Sequence, residues 1–222
     1  KIPSDEGVLV SPADGHVMFV RRERATGRRP NQEELNSDKI ESDKLTGPWY
    51  PETIQNPLSF ATEQRFEPVP EGEESSTDVF RIAIFMSPLD VHVNRSPCAA
   101  IIERMEHRTG QGRRRGPFLP AMKKESEHNE RVRTVLLCEE DLRIEVCQIS
   151  GALARTIVPW TAVGDELRRG QRYGMIRLGS RVDIRAPAEI FTPIVESAES
   201  GNSELPKGQF VQAGSSILFE RK

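Results

Sequence analysis

The sequence has little that would serve a disulfide framework, a zinc site or a membrane span. Its three cysteines, Cys98, Cys138 and Cys147, form no CxxC pair and have no histidine at ligand spacing. That argues against both a cross-linked scaffold and a bound zinc, and no other metal set is legible. No apolar run reaches the roughly 18 residues of a spanning helix. The formal charge of −3 over 222 residues lacks the basic excess of a general nucleic-acid binder. No repeat of fixed period is present, and convincing 3.6-residue periodicity is scarce. The chain begins at Lys1 rather than Met, so the absence of a leader or anchor carries no weight.

What is present is a series of short apolar runs broken by Gly and Pro. Val8–Val10 and Val17–Val20 flank Ser11-Pro12-Ala13-Asp14-Gly15, whose Pro and Asp-Gly supply turn chemistry. Further strands are expected at 80–86, 99–106, 132–138, 142–150, 152–158, 173–178, 181–185 and within 210–219. This predicts a mainly β fold: a single domain, 1–222, forming a sandwich or barrel with a few short helices. Turns such as Val163-Gly164-Asp165 and Arg169-Gly170-Gln171 are of the kind found in the hybrid folds of lipoyl carriers. A carrier needs an exposed lysine at a hairpin tip, and none stands there.

From about 21 to 77 the composition turns polar, which suggests an insertion, a mobile loop or a partly ordered flap, with Trp49, Tyr50, Leu58 and Phe60 available to pin it down. Arginines cluster at 21, 22, 24, 28 and 29, and again at 113–115. Such clusters read first as solvated surface and second as contacts for anionic headgroups.

Three polar islands interrupt the apolar runs: Ser11 to His16, Ser87 to His92, and Gly179-Ser180. Each has an ordinary reading. Asp14 suits an Asx turn, His92 a structural imidazole, and Ser180 a turn serine. If 90–92 is a strand, Asp90 and His92 share one face. Together the islands offer a carboxylate, an imidazole and a hydroxyl, the groups that activate a serine. His16, His107 and His128 are assigned no chemistry.

In order and approximate spacing these islands resemble the phosphatidylserine decarboxylase family, in particular its short prokaryotic branch. The resemblance rests on Ser11–Gly15, on Phe85-Met86-Ser87-Pro88-Leu89-Asp90-Val91-His92-Val93-Asn94-Arg95-Ser96-Pro97, on Asn129-Glu130-Arg131, on Gln148-Ile149-Ser150-Gly151, and on Gly174 to Asp183. Many relatives carry a second histidine three residues after the first; here that position is Arg95.

The resemblance implies cleavage at Gly179-Ser180 and conversion of Ser180 into a covalent pyruvoyl cofactor. Glycine before the serine removes a Cβ, so that the hydroxyl can approach the preceding carbonyl. His92 is then the base that takes the Ser180 proton, and Asp14 fixes its tautomer. Asp90 supports the strand end or helps processing. The ketone so made accepts a substrate amine and serves as electron sink. By the same resemblance the substrate is phosphatidylserine at a membrane surface and the product phosphatidylethanolamine. The protein is then a heterodimer of its own fragments, 1–179 and 180–222, with higher homo-oligomers open. It lies on the cytoplasmic face of the membrane, peripheral or anchored by a segment preceding Lys1. Three alternatives remain: an archaetidylserine or related aminophospholipid decarboxylase, a pyruvoyl decarboxylase for a soluble amino acid, and a non-enzymatic lipoyl-like sandwich module.

Overall fold

A computed structural model describes residues 1–44, 46–59, 62–108, 129–151, 156–177, 179–197 and 208–222. The described residues form one β-rich domain with no helix of seven residues or more. Its strands are β1 (Val8–Val10), β2 (Gly15–Arg28), β3 (Glu41–Asp43), β4 (Gly47–Pro51), β5 (Gln64–Pro68), β6 (Val79–Met86), β7 (Val93–Arg95), β8 (Ala100–Arg108) and β9 (Arg131–Leu137). They continue as β10 (Arg143–Ile149), β11 (Ile157–Pro159), β12 (Glu166–Leu167), β13 (Arg172–Ile176), β14 (Ser180–Pro187), β15 (Phe191–Pro193), β16 (Phe210–Val211) and β17 (Ile217–Arg221).

Eleven strands make one sheet whose middle runs β9-β10-β14-β6-β2; two three-stranded sheets, β1-β17-β15 and β11-β13-β7, accompany it. Period-2 alternation gives β14 two different faces. Val182, Ile184 and Ala186 enter the apolar core with Val17, Ile82, Ile84, Met86, Val146 and Phe219. Arg181, Asp183 and Arg185 point the other way, yet they are also sheltered from water.

That second face carries a lattice of ion pairs. Asp183 pairs with Arg181 (2.6 Å) and Arg81, Arg81 with Glu23 (3.1 Å), and Glu145 with Arg133 (2.6 Å) and Arg185 (2.5 Å). Glu63 draws in Arg131 and Arg29. Burial alone would raise the Asp183 pKa, but Arg181 and Arg81 outweigh it and hold the carboxyl at about 2. Its contribution to stability is therefore complete above an unfolded carboxyl pKa near ~3.9 and is lost as the pH falls through about 2. Replacing Asp183 by Asn removes the buried negative charge that Arg181 and Arg81 share, and is expected to destabilise the chain by about 3 kcal/mol. Urea denaturation at neutral pH measures this, and the difference from the parent should shrink toward pH 2.

The polar stretch is folded. The strand expected to end at Val20 runs on to Arg28, where it pairs with β4 and β5. Trp49, Ile54 and Leu58 are buried, whereas Phe60 lies outside the described residues. Nor are the early arginines a solvated or lipid-facing cluster. Arg22 and Arg24 bond Asp78 (2.8 and 2.7 Å), Arg28 bonds Glu34 and Glu52 (both 2.7 Å), and Arg29 bonds Glu63 (2.8 Å) and lies 3.8 Å over the Trp49 ring. Glu34, Glu52 and Glu63 come from the same polar stretch and Asp78 from the residue before β6, and the stretch thereby covers the ionic face of the sheet. A cavity of about 270 Å³ remains between cover and sheet, lined by Trp49, Gln64, Arg81, Arg133 and Glu145 among others. Arg113–Arg115, His128 and residues 152–155 of an expected strand lie outside the described residues.

Cys98 and Cys138, forty residues apart, meet as free thiols with 3.1 Å between sulfurs. That hydrogen bond and burial push the Cys98 thiol well up.

Candidate active site

The three islands converge at one end of the large sheet, and strand register is the cause. His16 of β2 pairs with Phe85 of β6, and Ser180 of β14 pairs with Met86. Asp14 and Gly15 lead directly into the β2 end of this ladder, and Gly179 precedes the β14 end. The close approach of β2 requires Gly15, since a Cβ there would stand 2.1 Å from the Phe85 carbonyl oxygen. The first island is also tied to β7, where Arg95 N–H donates to Pro12 O at 3.0 Å.

Residues 87–92 form a turn rather than a strand, so Asp90 and His92 do not share a strand face. Asp90 closes that turn: its N–H donates to Ser87 O (3.0 Å), and its Oδ2 accepts Ser87 N–H (2.6 Å). The turn delivers His92, whose Nδ1 donates to the Asp90 carbonyl at 2.7 Å. A carbonyl can only accept, so the ring proton sits on Nδ1. The unprotonated Nε2 receives the Gly179 N–H at 3.0 Å. The imidazole thus presents its basic nitrogen to the residue that precedes Ser180.

Ser180 is fully buried at the start of β14, and its hydroxyl donates to Met86 Sδ at 3.3 Å, a weak acceptor. Gly179 has φ +62°, while an added Cβ there would meet nothing nearer than Pro88 Cγ at 3.8 Å. Its left-handed backbone, more than crowding, is what asks for glycine.

The carboxylate of Asp14 accepts Ala213 N–H at 2.6 Å, which moors the first island to the segment before β17. The tautomer-fixing position on the His92 ring is taken by the Asp90 main chain, not by the Asp14 carboxylate expected there. An anchoring Asp14 makes a specific prediction. Asp14→Asn keeps an acceptor for Ala213 and should retain cleavage at position 179–180 within a few-fold, whereas Asp14→Ala should slow it about tenfold or more. Equal losses in the two variants, read on a denaturing gel time course, would show that the charge itself acts.

Three residues contact the site without having been assigned a role: Met86, Asn94 and Gln148. Asn94 is fully buried, accepts Gln148 Nε2–H at 2.8 Å, and donates toward Pro12 O at 3.4 Å and Met86 Sδ at 3.9 Å. All three lie inside the sequence motifs already singled out. An amide two positions after His92, inside the same sequence motif, was the available signal for Asn94. His16 bonds Gly208 O at 3.0 Å and His107 bonds Glu130 at 2.9 Å, both away from this cluster.

A family model described as phosphatidylserine decarboxylase matches residues 1–219. The chain belongs to the phosphatidylserine decarboxylase family. Among relatives, the phosphatidylserine decarboxylase proenzyme of Thermobifida fusca is 43% identical over 155 residues, 70% of this chain and 60% of that protein. The proenzyme of Erythrobacter litoralis is 33% identical over 218 residues, 98% of this chain and 67% of that one. A putative archaetidylserine decarboxylase proenzyme of Methanococcoides burtonii is 42% identical over 152 residues, 68% of this chain and 64% of it. The chain spans about half to two thirds of the length of the curated relatives it matches. No solved structure matches it significantly. Among the described residues no helix is long and apolar enough to cross a membrane.

Proposed function

We propose that this member of the phosphatidylserine decarboxylase family cuts its own Gly179-Ser180 bond and then decarboxylates phosphatidylserine to phosphatidylethanolamine. The observation that carries this reading is His92 Nε2 on the N–H of Gly179, one residue from a buried serine.

In the processing step Nε2 leaves the Gly179 N–H and takes the Ser180 hydroxyl proton. Oγ then attacks the Gly179 carbonyl carbon, and the peptide becomes an ester with a free amine on Ser180. The Asp90 carbonyl holds the Nδ1 proton throughout, and accepts from it more strongly once the ring is an imidazolium. Loss of the Ser180 α-proton expels the Gly179 carboxylate and leaves dehydroalanine. Water releases its nitrogen as ammonia and leaves a ketone. Asp14 acts as a positioning residue.

Position 180 fits such a pyruvoyl group. It is shielded from water against Met86 at the start of a central strand, and His92 bonds the preceding residue. The group supplies a carbonyl that takes up the substrate's amine and the electrons released with carbon dioxide. For that step His92 is the residue in place to hold a proton and return it to the substrate. The two fragments stay together because β14 lies between β6 and β10, and β17 pairs with β1.

The test is to supply the self-cut protein with phosphatidylserine in mixed micelles and follow carbon dioxide and phosphatidylethanolamine. Both are expected, and hydroxylamine should abolish both. Free serine in place of the lipid should yield neither. The Methanococcoides relative motivates a parallel arm with archaetidylserine, whose headgroup is the same. An uncut chain inert to every amine tested would favour the non-enzymatic module and overturn the proposal.

A further inference from the structure

The turn that delivers His92 carries the most exposed large apolar side chain among the described residues. Leu89 is 97% exposed and Val91 58%, whereas the neighbouring Met86 is fully buried. Exposed apolar side chains at the tip of a turn are disfavoured in water unless something covers them. Both belong to the turn that borders the proposed cleavage site, where Pro88 Cγ lies 3.8 Å from the position of a Cβ on Gly179 and His92 Nε2 accepts the Gly179 N–H.

Beside this tip is an exposed cation. Ile176 N–H donates to His92 O at 3.1 Å, which places Arg177, the next residue, at the strand end that holds the His92 main chain. Arg177 is exposed, and no carboxylate of the described residues pairs with it. The nearest acid in sequence on the turn, Asp90, has its carboxylate turned to the Ser87 N–H. An apolar point flanked by an unpaired cation is complementary to a bilayer with anionic headgroups: acyl chains for the first, phosphate for the second. A second apolar pair, Trp160 and Val163 (48% and 59% exposed), lies toward the other end of β13, where Trp160 N–H bonds Tyr173 O at 2.9 Å.

We propose that the Ser87–Val91 turn is the bilayer-docking tip of this protein, with Leu89 and Val91 entering the acyl boundary and Arg177 meeting anionic headgroups. This rests on the proposed function and adds to it how a lipid-borne amine is brought to position 180. The catalytic turn and the membrane contact are one element, so docking sets the headgroup against His92.

The test uses self-cut protein only, which keeps folding and processing out of the comparison. Phosphatidylglycerol–phosphatidylcholine vesicles serve as the probe, because they bear no serine headgroup and report binding apart from decarboxylation. The parent should sediment with them. Leu89→Asp should lower the partition coefficient about tenfold or more, while Leu89→Met should restore it. Arg177→Gln should lower it about fivefold on these vesicles and leave binding to phosphatidylcholine alone unchanged. Val163→Asp should bind like the parent. Three results would overturn the proposal: a parent that stays in the supernatant, a Leu89→Asp protein that binds like the parent, or an equal loss in Val163→Asp. So would a Leu89→Asp protein that only loses self-association, which would mark the tip as a contact between copies. A protein that docks yet releases no carbon dioxide from phosphatidylserine leaves the docking tip standing and removes the proposed activity.

Discussion

Replacement of Ser180 by Ala is expected to give a single uncut chain with no decarboxylase activity, where the parent is expected to give fragments 1–179 and 180–222. The loss should be complete rather than graded. In the proposed route the hydroxyl is at once the nucleophile of the cleavage and the oxygen whose departure with the Gly179 carboxylate leaves the dehydroalanine that hydrolyses to the ketone, so its removal takes away both the cut and the electron sink. The side chain that replaces it is small and apolar, and it faces Met86 in a buried strand start. The fold should therefore survive. A parent-like melting temperature for the uncut variant, together with one band on a denaturing gel, is the expected pair of results. Two fragments from Ser180→Ala would show that the chain is cut by some other route.

The second large effect is at His92. Its Nε2 accepts the Gly179 N–H, and in the proposed processing step it is also the nitrogen that takes the serine proton. His92→Gln offers an amide oxygen as acceptor but cannot serve as base, so self-cleavage should fall by about 10²- to 10⁴-fold, the usual contribution of general-base catalysis. His92→Ala should be as slow, and added imidazole should restore part of its rate. Half-times of fragment appearance after purification of the precursor provide the measurement. A Gln variant that cuts like the parent would reduce His92 to a backbone tether.

The difference between these two residues and Asp14 bears on what could be read without coordinates. Asp14, His92 and Ser180 were legible as a set because each interrupts an apolar strand-like run, and a β pattern of period 2 can be read from such runs. Strands β1, β6 and β14 fell within a residue or two of the expected places for the same reason. The wiring between the islands was not legible. Which atom holds Nδ1 of His92 depends on the shape of the 87–92 turn, and a main-chain carbonyl leaves no mark in a sequence. Contact of Ser180 with Met86, 94 residues away, follows from strand register alone.

The polar stretch after Val20 failed for a different reason. Residues 15–28 alternate buried and half-buried positions over most of their length, as a strand should, but arginines occupy many of them. Arginines in a sheet are expected only if carboxylates meet them. Those carboxylates, Glu34, Glu52, Glu63 and Asp78, are brought in by tertiary structure. Composition saw charges of both signs and suggested a loop; the fold pairs them and makes a cover. Cys98 and Cys138 make the same point, since neither spacing nor context marked them as neighbours.

The most direct measurement is the intact mass of the small fragment from freshly purified protein. The account predicts a fragment spanning 180–222 that is lighter by one ammonia than a peptide starting with serine, and that reacts with hydroxylamine. An uncut chain, or a fragment whose first residue is an unmodified Ser180 with a free amine, would contradict it.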